Sequence, residues 1–209
     1  GVMFLNREEA GMRLAVKLLR KKNLKNAVII CVPRGGVVVG KTVSEVLKIP
    51  FKILIVKKIG APNNPELAIG ATGSDSEVFW DENLVSILNI SKKERTNLLK
   101  QTKDAIHKRE KALGIGRMDV REKTVIVVDD GVATGATAIA ASLILKNMGS
   151  SKIILTTPVI SKRTKRELGK YFDKIISVET PEDFHAVGEF YREFPQVSDE
   201  IVKDLLGKR

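Results

Sequence analysis

Five apolar runs of strand length punctuate the chain: 27–32 (AVIICV), 51–56 (FKILIV), 124–128 (TVIVV), 152–157 (KIILTT) and 174–178 (KIISV). The first and third are apolar without alternation, as expected of parallel strands covered on both faces. A shorter run, 77–80 (EVFW), reads as an edge strand. Helical patterns fill the intervals. Asn6 can cap a helix to about Lys22, with Glu9 returning the bond and Met12, Ala15, Leu18 and Leu19 as its apolar stripe. A second helix runs from Gly35-Gly36 to about Leu47, and an Ala-rich one to about Met148. Ser91 and Glu94 form a capping box for a long helix over 91–113, with Leu98, Leu99, Thr102, Ala105, Ile106 and Leu113 along one face. Ser161 caps a helix to about Lys170, and Ser198 one over 199–206.

Strands alternating with helices predict an α/β fold, a doubly wound, mostly parallel sheet with helices on both faces. Right-handed crossovers favour the spatial order 51–56, 27–32, 124–128, 152–157, 174–178, that is 2-1-3-4-5. We expect a single domain over 1–209, with an aromatic, irregular tail over 179–209. The order reverses between the strands ending at Val32 and Val128. Ligands of such sheets bind at that reversal, outside the carboxyl ends of the strands.

Both of those ends carry candidate chemistry. The stretch 125–137 reads VIVVDDGVATGAT: a strand, two carboxylates (Asp129, Asp130), then the loop Gly131, Val132, Ala133, Thr134, Gly135, Ala136, Thr137 at a helix start. Free N–H groups and the dipole at a helix start attract anions, and glycines let the backbone close on them. The carboxylates suit ribose hydroxyls, or a Mg²⁺ held through water. The other strand runs into Pro33-Arg34-Gly35-Gly36, where Arg34 can grip two phosphate oxygens at once.

This second loop also satisfies G-x-x-x-x-G-K-[ST] over Gly35–Thr42, which makes a P-loop nucleotide-binding protein a competitor. Three consecutive valines suit a backbone wrapped around phosphates poorly, since β-branched residues are stiff. They fit the buried first turn of a helix better.

The formal net charge of +11 fits polyanionic ligands, nucleic acid among them. Lys92, Lys93, Arg95, Lys100, Lys103, Lys108, Arg109 and Lys111 make one face of the long helix basic. No run has the length and apolarity of a membrane span. The lone Cys31 lies in an apolar run, and no signal-peptide pattern opens the chain. A reduced, cytoplasmic setting is the expectation, without membrane association.

The 125–137 stretch closely resembles the phosphoribosyl-pyrophosphate (PRPP) signature of type I phosphoribosyltransferases. VPRGG, GAPNNPELAIGA and the tail GEFYREFPQVSDEIV extend the resemblance, to a group of prokaryotic members, over nearly the whole chain. It implies transfer of a phosphoribosyl group from PRPP to a small nitrogen acceptor, a nucleobase being favoured, with Mg²⁺ as cofactor and pyrophosphate released. In the family the 125–137 loop holds the 5′-phosphate. The loop at Pro33, Arg34, Gly35 and Gly36 holds pyrophosphate, often through a non-proline cis peptide. Asp129, Asp130, Arg34 and Lys57 would be catalytic, Lys58 would face pyrophosphate, and the metal would lie near Asp129 and Asp130 through PRPP and water.

Pro62, Asn63, Asn64, Pro65 and Glu66 would form a mobile lid. The 91–113 helix is an insertion relative to a minimal member, and the tail a hood in which Ile176, Phe184 and Tyr191 could face the acceptor. A homodimer is expected. Members acting on 6-oxopurines carry an acid at the position of Ala133, which argues against such an acceptor here. A second function class keeps the fold but makes it a PRPP- or nucleotide-sensing regulator, with the basic 92–111 face binding nucleic acid.

Overall fold

The computed structural model describes residues 3–21 and 24–207. Five parallel strands form its main sheet: β1 (Ala27–Cys31), β2 (Phe51–Ile53), β6 (Thr124–Val128), β7 (Lys152–Val159) and β8 (Lys174–Glu179). They lie in the order β2-β1-β6-β7-β8, which is the expected one. β1 and β6 are in register from Ala27↔Thr124 to Cys31↔Val128, so both end at the same level. Side chains from these strands face apolar layers on both sides. Ile29, Cys31, Ile126 and Val128 pack with helices α1 (Arg7–Leu19) and α2 (Gly35–Leu47). Val28, Ile30, Val125 and Val127 pack with α5 (Ala136–Asn147) and α6 (Lys162–Leu168).

Cys31 is fully buried, and burial pushes its thiol far above the ordinary range. It behaves as a small hydrophobe.

The 51–56 strand is shorter than expected. β2 stops at Ile53, and the chain turns into a second, antiparallel sheet of β3 (Lys57–Ala61), β4 (Asn64–Thr72) and β5 (Phe79–Trp80). Residues 57–72, which contain the expected lid, are therefore mostly a hairpin. Its register shifts twice, at Ile59/Gly60 and Gly60/Ala61. Such bulges admit a proline to a strand, and Pro65 lies in β4 against Gly60, whose Cα–H faces the Pro65 backbone.

Helix α3 (Glu82–Ile87), capped by Asp81, was not foreseen. At six residues it is too short to show a periodic pattern. The long α4 (Lys92–Leu113) has its Ser91–Glu94 capping box and ends on a left-handed Gly114. Leu98 and Leu99 pack on the small sheet, and Ile106 and Leu113 on the main core, so α4 ties the two sheets together.

On α1 the stripe is rotated from the expected one. Ala10, Gly11, Leu14, Ala15 and Leu18 are buried with Arg7, whereas Met12 is 48% and Leu19 60% exposed. Asn6 caps the helix, but Glu9 accepts from the Leu5 N–H rather than from Asn6. The tail runs through a 3-10 turn, Val187–Phe190, to α7 (Asp199–Leu205). No helix among the described residues is long and apolar enough to cross a membrane.

Candidate functional site

The helices of the molecule start in two ways. The starts of α1, α3, α4, α6 and α7 are closed by side chains: Asn6, Asp81, Ser91, Ser161 and Ser198. Those of α2 and α5 begin at Arg34 and at a left-handed Gly135, with no side-chain cap on either. The first N–H groups of a helix have no intrahelical partner, so an uncapped start is open to an anion. These two starts follow β1 and β6, the adjacent strands at which the sheet order reverses.

The loops meet at Gly35 and Gly36. A Cβ on Gly35 would collide with the Asp130 carboxylate and come within 2.8 Å of Arg7 Nε. One on Gly36 would lie 2.8 Å from the Val128 carbonyl and 3.1 Å from Asp129 Cα. Only glycine permits this approach. The Pro33–Arg34 peptide is cis.

Asp129 and Asp130 differ in environment. Burial and the adjacent Asp130 carboxylate push the Asp129 carboxyl well above the usual carboxylate range, and its Oδ1 accepts the Asp130 N–H at 2.8 Å. Asp130 is paired: Arg7 Nε donates to its Oδ2 at 3.0 Å. Arg7 also donates to the Pro195 carbonyl at 2.6 Å and lies 3.9 Å over the Phe194 ring. Its side chain is only 8% exposed. The Tyr191 hydroxyl donates to the Asp130 carbonyl at 2.6 Å. The acidic pair is thus braced by the first helix and the tail together.

An open cleft of about 540 Å³ lies beside this pair, lined by Arg7, Arg34, Gly35, Lys57, Arg109 and Gln196, with Pro33, Ile55, Val56 and Val197. Arg109, from α4, makes a two-pronged bond to Asp199, 2.8 and 2.7 Å. Arg34 Nε lies 3.2 Å from Asp199 Oδ1. One carboxylate therefore stands between two arginines at the cleft, and their charges hold it below the usual carboxylate range, the Arg109 hydrogen bonds most of all.

The family profile described as "Phosphoribosyl transferase domain" matches residues 4–194. The chain belongs to this phosphoribosyl transferase family. A relative in Mycobacterium tuberculosis H37Rv, provisionally named a phosphoribosyl transferase, is 34% identical over 211 aligned residues, 99% of this chain. The chain spans about half, 47%, of that relative's length. Protein TT1426 of Thermus thermophilus has a similar structure, with a TM-score of 0.85, 31% identity and 98% of each chain covered. A purine phosphoribosyltransferase from Pyrococcus horikoshii shares the fold, with a TM-score of 0.51 at 20% identity over 94% of this chain and 97% of its own.

In this phosphoribosyl transferase domain the 131–137 loop is held by its own surroundings. Val132 N–H donates to the Val159 carbonyl at 2.9 Å, and the Thr164 hydroxyl to the Ala133 carbonyl at 2.8 Å. Gly131 lies under Val187, and Gly135, at φ +82°, lies under Leu168. Gly131, Val132 and Gly135 are buried, whereas Thr134 and Thr137 are exposed and Ala133 and Ala136 half-buried.

Lys57 borders the cleft, and Lys58, also exposed, follows it on β3. The expected lid, Pro62 to Glu66, is wholly exposed. Asn64, Pro65 and Glu66 belong to β4, so this is the tip of a bulged hairpin rather than a loose turn. Two of the expected hood residues are core. Ile176 is buried within β8, and Tyr191 is buried against Phe4 and Phe194. Phe184 is half-buried, edge-on to Phe190 at 5.0 Å. Tail aromatics collapse because the segment has little regular structure and needs its own apolar cluster.

The P-loop reading falls on a helix. Gly35–Thr42 lies within α2, with Val37, Val38 and Val39 buried. Lys41 pairs with Glu45 at 3.3 Å. A helical backbone has no loop to wrap around phosphates.

The basic face of α4 is partly committed: Arg95 to Glu82, Lys103 to the Ser76 carbonyl and Arg109 to Asp199. Arg7, Arg109 and Asp199 were missed as site residues. The signal for Arg7 was a charge in helical register with Ala10, Leu14 and Leu18 on the buried stripe. Arg109 and Asp199 meet only through the fold, 90 residues apart.

Proposed function

We propose that the domain transfers a 5-phosphoribosyl group from PRPP to a nitrogen acceptor, releasing pyrophosphate. The observation that carries this is the pair of uncapped helix starts on either side of an acidic pair. That arrangement suits a ligand with phosphate at both ends and a sugar diol between. The 5′-phosphate would take the 131–137 loop, with N–H groups of the α5 start and the hydroxyls of Thr134 and Thr137 as donors. The ribose hydroxyls would lie over Asp129 and Asp130. Pyrophosphate would lie at Arg34, Gly35 and Gly36, with Lys57, Lys58 and Arg109 facing it. Asp199 is then the internal counter-ion that the pyrophosphate group replaces between the arginines.

In the reaction the bond from C1 of the ribose to the pyrophosphate oxygen breaks. The acceptor nitrogen forms a new bond to C1 and gives up its proton. Positive charge builds on the sugar ring at the transition state, and negative charge on the leaving oxygens. Cations gathered around those oxygens would stabilise them, once the pyrophosphate has taken the place of Asp199 between the arginines. The hairpin tip at Pro62–Glu66 stands in the chain after Lys57 and Lys58 as the element to exclude water.

Among the described residues no group of three or more His, Cys, Asp and Glu side chains is placed to hold a metal. Asp130 is engaged by Arg7, whereas Asp129 makes no ion pair among the described residues. A hard cation held mostly by ligand oxygens and water, with Asp129 beside it, fits this donor set, and Mg²⁺ binds in that way. When bound, it would offset negative charge on the pyrophosphate.

A nucleobase is the acceptor class this reading favours, and 6-oxopurines are disfavoured. Ala133 offers a methyl group where a base towards the purine nitrogen would help. Glu182 is held below the ordinary range by Lys162, its partner at 2.6 Å, which makes it a weak substitute base. Screening nucleobases for PRPP- and Mg²⁺-dependent pyrophosphate release tests the proposal. We expect one base class to turn over, with hypoxanthine, guanine and xanthine slower by about 10²-fold or more. Absence of PRPP binding would overturn the reading. Efficient 6-oxopurine turnover would overturn the acceptor assignment.

A further inference from the structure

A second cationic site lies at the outer edge of the main sheet. β8 is an edge strand, and three elements meet there: the end of α1, α6 and β8 itself. They line a hollow of about 310 Å³ with Lys17, Arg20, Lys21, Lys165 and Lys174, over Ile175, Ile176 and Ser177. Among the described residues no carboxylate lines it. Among the described residues none of these five cations is in an ion pair.

Two of the five are fixed in place. Lys17 Nζ donates to the Ser177 carbonyl at 2.7 Å, and Lys165 Nζ reaches the Ser177 hydroxyl at 3.2 Å. That brings two ammonium groups to one residue. Burial, and then Lys17, hold Lys165 below its ordinary range, and Lys21 does the same to Lys174.

Cations near helix ends are ordinary, because the last carbonyls attract them. That explains Lys17 or Lys165 singly. It does not explain two like-charged pairs facing into one hollow from different elements. Lysines also guard edge strands against pairing, but of these five cations only Lys174 lies on the edge strand. Adjacent like charges are unfavourable, and a multiply charged anion reverses the sign of that interaction. The hollow is concave and has an isoleucine floor. That suits a compact ligand rather than a long backbone lying across a flat face.

We propose that this hollow binds the di- or triphosphate group of a small molecule, at a site separate from the Arg34 cleft. Inorganic polyphosphate and the phosphate tail of a nucleotide share this chemistry. The site does not depend on what the cleft does.

The test is calorimetry with inorganic tripolyphosphate at physiological salt. Arg34→Ala is the background, so that the cleft contributes little. We expect tripolyphosphate still to bind that protein, most tightly at the hollow. Lys21→Gln with Lys174→Gln, which leaves the bonds of Lys17 and Lys165 to Ser177 in place, should weaken it by about tenfold or more. Lys165→Gln, folded by circular dichroism, should weaken it as well. ATP binding tighter than tripolyphosphate would identify a nucleotide as the source. Equal affinity would identify the phosphate chain alone. No binding in the Arg34→Ala protein, or affinity unchanged by Lys21→Gln with Lys174→Gln, would overturn the proposal. So would binding of single-stranded RNA with none of tripolyphosphate.

Discussion

The cleft beside Asp130 and the hollow at the edge of β8 are both rich in cations, but they are organised in opposite ways. In the cleft the arginines have carboxylate partners: Arg7 has Asp130, and Arg34 and Arg109 share Asp199. In the hollow the lysines face one another. The pairs in the cleft fix the direction of each guanidinium before any ligand arrives. They also mean that an incoming anion competes with Asp199. Among the described residues the hollow has no such competitor, and only Lys17 and Lys165 of its five cations are tied down, both to Ser177. A site for chemistry needs geometry held in advance, whereas a site for binding alone can tolerate repulsion that the ligand relieves.

The largest effect should come from breaking the buried pair. Arg7→Ala leaves the Asp130 carboxylate and the Pro195 carbonyl without their donor. Removing one member of a buried pair commonly costs about 3–5 kcal/mol, and urea denaturation should show a loss of that order. An effect within a few tenths of a kcal/mol would mean that Arg7 does not brace the site.

Arg34→Ala should come next. It leaves the Arg109–Asp199 bonds in place, and loss of a charged hydrogen-bond donor to pyrophosphate should weaken PRPP binding by about tenfold to a hundredfold. Asp199→Asn works in the other direction by making the cleft resemble the hollow. It removes the internal competitor, so pyrophosphate should bind several-fold more tightly, with only a modest fall in melting temperature because the half-buried Asp199 side chain is 42% exposed and its pairs are partly screened by solvent. Weaker pyrophosphate binding would show that Asp199 positions the arginines rather than competing for them.

Asp129→Asn should change the pH dependence of stability. The raised pKa of Asp129 means that the fold holds this proton more tightly than the unfolded chain does. Its stabilising contribution is complete below the ordinary carboxylate pKa of about 4 and is lost as pH rises through the raised value. Asn cannot ionise, so without ligand the variant should gain on the wild type as pH rises from about 4 upward. Parallel melting curves against pH would contradict the assignment.

The least effect belongs to Lys41→Ala. Its partner Glu45 is one turn away on the surface, and such a pair is worth about 0.3–0.5 kcal/mol. PRPP affinity should not move.

The sheet order and the two anion loops were legible because each is written in adjacent residues. Continuous apolar runs mark the covered strands, and DDGVATGAT follows one of them directly. The elements that complete the cleft were not. Lys57 and Lys58 were read at a strand end, but they begin a new sheet, since FKILIV does not show where pairing with β1 stops. Asp199 lies in a helix of seven residues whose only sequence mark is its Ser198 cap. Its role arises from where α7 lies relative to α4. Tyr191 read as a hood residue because aromatic rings in a tail suit either stacking or core. Phe4 and Phe194, packed on it, decide for core.

The central claim is that PRPP lies across the two loops with its ribose at the acidic pair. Asp129→Asn is the sharpest probe, because Asn keeps an oxygen for the Asp130 N–H and leaves the Arg7–Asp130 pair untouched. Calorimetric titration of PRPP with Mg²⁺ into the wild type and this variant measures it directly. We predict one site in the wild type, and binding weakened by about tenfold or more in Asp129→Asn. Equal affinity in the two proteins would contradict the account.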